Sequence, residues 1–205
     1  APSIATTPVP TTAAPTIAIT PGPFDGQAYA MDLPDGWVTF DLSDPAGPPS
    51  LFAATEEAGR PVDLLVNGAG FGFNGPFGEQ PLPLLLEMLR LNVLAVSETT
   101  HSFLAAMRSR KHGWILNVAS TAAFSPGPRF AGYSASKAYV LSLTEALHEE
   151  AAGSGVTVTA LCPGFTTTRF QAVAGMGSAR GTLLPVMRAD DVAEAGLWAL
   201  ERGKA

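Results

Sequence analysis

The chain has 205 residues, 46% of them hydrophobic, which is enough for one α/β domain with a sizeable core and too apolar for disorder throughout. Its formal net charge is −6 and its 12 Lys and Arg residues are scattered, so a nucleic-acid surface is not expected. A single cysteine, Cys162, excludes an intramolecular disulfide, and neither a secretory leader nor an apolar run of about 18 residues is found. The expectation is a soluble, cytoplasmic protein with no membrane partner, and an opening Ala1 in place of Met fits a processed form or a fragment.

Residues 1–37 read as a Pro/Thr/Ala-rich irregular segment, with 16–20 as a degenerate first strand. Ten of the chain's 18 prolines lie in the first 50 residues, so no long helix is sustainable there. Residues 38–205 read as one domain of alternating elements: a strand at 38–40, a helix at 50–59, a strand at 61–66 and a helix at 82–110. A strand at 114–118, a helix at 133–152, a strand at 156–161 and a helix at 190–202 follow. Such alternation predicts a three-layer, Rossmann-like parallel sheet with right-handed crossovers and helices on both faces. Arg108-Ser-Arg110-Lys111 closes a predicted helix, where cations complement the dipole. Cys162 ends an apolar run and reads as a small buried hydrophobe. His101, His112 and His148 lack a paired metal spacing, so no metal site is expected.

Chemistry concentrates in Gly113-Trp-Ile-Leu-Asn-Val-Ala-Ser120 and Gly132-Tyr133-Ser-Ala-Ser-Lys137. A helix projects residues i and i+4 from one face, so Tyr133 and Lys137 would share a pocket. A free tyrosine holds its proton to a pKa of about 10, and a neighbouring ammonium would lower that value, making Tyr133 a general acid or base. Ser120 follows a buried strand, where α/β sheets place ligand-contacting groups. Tyr-x-x-x-Lys alone is common on amphipathic helices; the upstream serine and the strand-then-helix context carry the reading. A serine hydrolase is disfavoured, because no Gly-x-Ser-x-Gly elbow accompanies Ser120.

Over roughly residues 40–203 the chain resembles the short-chain dehydrogenase/reductase family. Asn67-Gly68-Ala69-Gly70 resembles that family's Asn-Asn-Ala-Gly element, with Gly68 in place of the second Asn, and Asn92 falls where the family keeps a helix asparagine. The resemblance implies a catalytic tetrad of Asn92, Ser120, Tyr133 and Lys137. Tyr133 would exchange a proton with a small carbonyl or alcohol substrate, Ser120 would orient the reacting oxygen, Lys137 would hold the nicotinamide ribose, and Asn92 would position a water linking Lys137 to solvent. It further implies that NAD or NADP is held by Asp41 and Leu42 beside the adenine, by Asn67, Gly68, Ala69 and Gly70 beneath it, and by Tyr133, Lys137, Pro163, Gly164 and Thr168 at the nicotinamide end. The two long helices, 82–110 and 133–152, would support a homo-oligomer.

Gly70-Phe-Gly72-Phe-Asn-Gly75 matches the Gly-x-Gly-x-x-Gly dinucleotide pattern literally. It continues into Pro76-Phe-Gly78 instead of opening a helix, so it reads as a glycine-rich loop beside the cleft. The family's own phosphate loop has its nearest counterpart in Pro21-Gly-Pro-Phe-Asp-Gly26-Gln-Ala28, where Pro21 and Pro23 lack the N–H donors a pyrophosphate needs. Too few residues separate Gly26 from Val38 for a first βαβ unit of about 30 residues, so that unit is expected to be missing or degenerate. Two functions stay open: an NAD(P)-dependent oxidoreductase, or a non-catalytic or impaired member without a working phosphate loop. The apolar residues of 170–184 favour an apolar substrate.

Overall fold

The computed structural model describes residues 17–20, 38–168, 170, 174 and 186–204. The phosphate-loop candidate at 21–28 and most of 170–184 lie outside them. In chain order the elements are β1 (Ile17–Thr20), β2 (Val38–Asp41), α1 (Gly47–Phe52), β3 (Leu64–Asn67), α2 (Leu82–Leu89), α3 (Val96–Arg110), β4 (Gly113–Val118), α4 (Ala131–Glu150), β5 (Val156–Leu161) and α5 (Ala189–Glu201). The fold is α/β and Rossmann-like. Every strand pairing is parallel, β1 with β2 and, in a separate sheet, β3 with β4 with β5.

The single helix expected over 82–110 is three pieces in one continuous run: α2, a π-helical stretch at Arg90–Ala95, and α3. π-helical turns inside α-helices often accompany functional sites, and this one contains Asn92. The third strand begins at Leu64 instead of Pro61; Pro61 has no N–H to give a ladder. The basic run after α3 behaves as a helix end: Lys111 caps it in the left-handed region, and Arg110 bridges Glu56 at 3.0 Å and donates to the Val62 carbonyl.

The period of two along the strands divides the sheet into faces. Leu65, Ile115 and Val158 enter the main core, where Phe103, Met107, Leu91 and Met88 from the long helical run meet them. A buried polar chain runs through the same layer. The Asn67 amide donates to Asn117 Oδ1 at 2.8 Å and to Thr100 Oγ1 at 3.0 Å, Thr99 donates to Asn67 Oδ1 at 2.9 Å, and Asn117 donates to Thr144 Oγ1 at 3.0 Å. These bonds tie β3, β4, α3 and α4 together. On the opposite face α5 sits close to Leu116 and Leu161, because a Cβ on Gly196 would lie 2.9 Å from Leu161 Cδ2.

Asn117→Ala strips partners from two buried groups at once. Its expected cost is about 2–4 kcal/mol, read as a lowered urea midpoint with the m-value retained.

Candidate active site

The carboxyl ends of the three-stranded sheet open into a cavity of about 1130 Å³. Gly68, Ala69 and Gly70 enter it directly after β3, Ser120 after β4, and Pro163 and Gly164 after β5. Backbone bonds hold the second and third of these segments in step: Ala119 N–H donates to Leu161 O at 2.8 Å and Thr121 N–H to Pro163 O at 2.9 Å. Past the Pro-Gly turn, Thr167 N–H donates to Met187 O and Met187 N–H to Phe165 O, joining the cavity wall to the start of α5.

Tyr133 lies in the first turn of α4, with the Ser120 side chain near enough to its phenol to favour the ionised form. Lys137 lies one turn on, 6% exposed, with Nζ 5.9 Å from the Tyr133 ring centroid and donating to Val118 O at 2.8 Å. Ser120, Tyr133 and Lys137 therefore converge as expected, all three lining the cavity. Leu42, Asn67 and Thr168 line it as well.

Two further expected residues have their side chains engaged by protein groups. Asp41 turns its carboxylate back on its own chain, accepting from Ser43 N–H at 2.9 Å and Ser43 Oγ at 2.7 Å. Asn92 is fully buried behind the cavity, its amide bonded to the Phe71 backbone and to Ser136. Asn67 lines the cavity, yet its amide serves the interhelical network above. Sequence reasoning missed Phe130 and Phe170, whose rings flank Tyr133 at centroid distances of 6.2 and 5.3 Å. It also missed Ser125, Gly127 and Ser134 in the wall. Phe130 is the last residue before α4.

The electrostatics differ from the expected lowering of the Tyr133 phenol by Lys137. Burial pushes that phenol above its ordinary value, and the Ser120 side chain offsets this only in part. Burial also lowers the Lys137 ammonium from 10.5 to about 8, with nearby Cys162 acting the other way. The Cys162 thiol is itself pushed up, chiefly by burial. Among the described residues no group of three or more His, Cys, Asp and Glu side chains could hold a metal, and no helix is long and apolar enough to cross a membrane.

Parallel strands with helices on both faces, and a cleft at their carboxyl ends, define the Rossmann-like class of α/β proteins. The family model described as short chain dehydrogenase matches residues 34–177, and the chain belongs to that family. It is 32% identical over 130 residues to the ketoacyl reductase HetN of a Nostoc species, covering 63% of this chain and 45% of that protein. With the acetoacetyl-CoA reductase of Paracoccus denitrificans it shares 37% identity over 113 residues, 55% of this chain and 47% of the relative. The chain thus spans about half the length of these relatives. Among solved structures, a short-chain dehydrogenase from Sphingobium yanoikuyae in complex with NADPH superposes with a TM-score of 0.74 at 28% identity, over 82% of this chain and 65% of that one.

The lysine makes the site's pH dependence readable. Its folded-state value lies below its ordinary one, so the buried ammonium's cost is fully present below about pH 8 and is relieved as pH rises toward 10.5. Tyr133 opposes this only above about pH 10, where the unfolded phenol ionises first. The stability of the protein relative to Lys137→Met should therefore rise between about pH 8 and 10, measured by urea unfolding across that range.

Proposed function

We propose that the protein is an NAD(P)-dependent oxidoreductase that interconverts a carbonyl and an alcohol on a small, apolar substrate, with Tyr133 as acid and base. One observation carries the reading: Tyr133, Lys137 and Ser120 meet in one cavity at the carboxyl ends of parallel strands. The residues present fit the nicotinamide half of the cofactor. The Lys137 ammonium spends one of three donors on Val118 O, which leaves two for ribose hydroxyls. Gly164 and Thr168, assigned by this reading to the nicotinamide, and Leu42, Gly68 and Ala69, assigned to the adenine, all line the same cavity.

When bound, the nicotinamide supplies or accepts the hydride. The chain's own residues handle the proton. In reduction the Tyr133 O–H donates to the substrate oxygen as the hydride reaches carbon, and in oxidation the phenolate takes the proton back. The Ser120 hydroxyl, near the phenol, orients the same oxygen. Phe130 and Phe170 beside Tyr133 support an apolar substrate. The relatives' names give oxidoreductases that reduce ketoacyl groups and acetoacetyl-CoA.

Thermal shift with NADH and with NADPH tests the cofactor. A stabilisation by at least one is expected, whereas no response to either at millimolar concentration leaves the impaired, phosphate-loop-deficient member as the reading. Where binding is found, Tyr133→Phe should abolish turnover while cofactor affinity stays within about twofold; retained turnover removes Tyr133 from the mechanism.

Association through the helices 82–110 and 133–152 belongs to the same proposal. Leu86, Leu94 and Tyr139 are exposed on them, and Ser97 Oγ lies 2.9 Å from the Tyr139 hydroxyl between the two helices. Leu94→Lys should shift sedimentation from oligomer to monomer; a monomeric parent protein would refute the association.

A further inference from the structure

The Gly-x-Gly-x-x-Gly stretch at 70–75 runs into a short 3-10 turn at Phe77–Glu79 and not into an α-helix, and its glycines are unequal. None of the three has positive φ, so backbone freedom does not call for glycine there. Space does, at two of them. A Cβ on Gly72 would lie 2.6 Å from Tyr133 Cδ2 and 2.9 Å from Cγ, and one on Gly70 would lie 2.8 Å from Asn92 Oδ1 and 3.5 Å from Lys137 Nζ. A Cβ on Gly75 would meet only Gln80 Cγ, at an ordinary 3.8 Å.

The same stretch is held from behind. Asn92 Oδ1 accepts from Phe71 N–H at 3.2 Å and its Nδ2 donates to Phe71 O at 2.9 Å, a reciprocal pair that fixes the backbone between the two glycines. Asn92 Nδ2 also donates to Ser136 Oγ at 3.1 Å, and Ser136, 1% exposed, donates to Tyr133 O at 2.7 Å. The loop is therefore pinned to the helix that carries Tyr133, and its bare Cα face lies against the tyrosine ring.

We infer that Gly72 and Ser136 are positioning residues for Tyr133: Gly72 supplies the flat wall against which the ring rests, and Ser136 ties that wall, through Asn92, to the Tyr133 backbone. The inference rests on the reading of Tyr133 as proton donor for its functional meaning, though not for its geometry. A methyl at 72 must move the ring by about 0.8 Å to restore an ordinary 3.4 Å contact. A displacement of that order at a reacting group costs roughly tenfold to a hundredfold in rate.

The test uses the whole chain labelled with 13C-tyrosine. It has three tyrosines, and Tyr133→Phe assigns the Tyr133 ring signals. Gly72→Ala and Ser136→Ala should both shift those signals, and Gly75→Ala should leave them in place. Should Gly72→Ala fail to fold, Ser136→Ala against Gly75→Ala decides the matter alone. Unmoved Tyr133 signals in a folded Gly72→Ala or Ser136→Ala protein, or equal shifts in Gly75→Ala, would overturn the inference. In a preparation that turns over a ketone, Gly72→Ala should lose at least about tenfold in kcat with KM held within about threefold. Shifted ring signals with unchanged kcat would uphold the wall and remove Tyr133 from catalysis, so the two readings fail separately.

Discussion

The amide of Asn117, one residue before the carboxyl end of the central strand, is the contact on which the cleft depends. It is fully buried, it takes a hydrogen bond from Asn67 on β3, and it gives one to Thr144 on α4. In a low-dielectric interior such bonds are strong when made and costly when broken, so they tolerate one arrangement. Side chains alternate along a strand, and a slip of one residue between β3 and β4 would swing Asn67 to the far face and cost Asn117 Oδ1 its Asn67 donor. Register is thereby locked, and with it the height at which each strand ends. The segments that line the cavity all leave from those ends, so a polar network well inside the protein sets where Gly70, Ser120 and Pro163 meet.

Burial then decides the charge state of what meets there. Tyr133 and Lys137 share a pocket as the pair in which the ammonium was expected to lower the phenol, yet the phenol is raised and the ammonium lowered, because withdrawing each from water favours its neutral form. The 5.9 Å from ammonium to ring centroid does not outweigh that desolvation. Near neutral pH the phenol is protonated, the state that donates, and a lysine at about 8 still carries its charge. The apolar enclosure sets this state more than the cation does. Phe130 and Phe170 beside Tyr133 are part of that enclosure.

The local features of this protein are legible in its sequence because local physics determines them. The alternation of strands and helices from Val38 onward follows from hydrophobic period, and the Tyr133–Lys137 pair follows from helix geometry alone. What was not legible depends on contacts across long separations. Asn92 is turned to Phe71 by a π-helical stretch within a continuous helix, and its neighbours Leu91 and Val93 carry an ordinary α-helical pattern that gives no sign of it. Asp41 resembles an adenine-side acid in sequence, and the motif alone does not announce that Ser43, two residues on, gives its Oδ1 a local partner. Gly72 is indistinguishable from Gly75 until the ring that lies against it, 61 positions later in the chain, is in place.

The alternation that buries Asn67 and Asn117 also makes the opposite side of the sheet. Val66, Leu116, Val118 and Leu161 point the other way and form an apolar floor to the cavity, and Val192 and Leu197 of α5 close it from outside. Leu64 and Val66 remain substantially exposed on that side, whereas Leu65 and Asn67 are buried. The sheet is therefore asymmetric: one face is a sealed core whose polar bonds set geometry, and the other, partly covered by α5, is an apolar surface that lines the cavity.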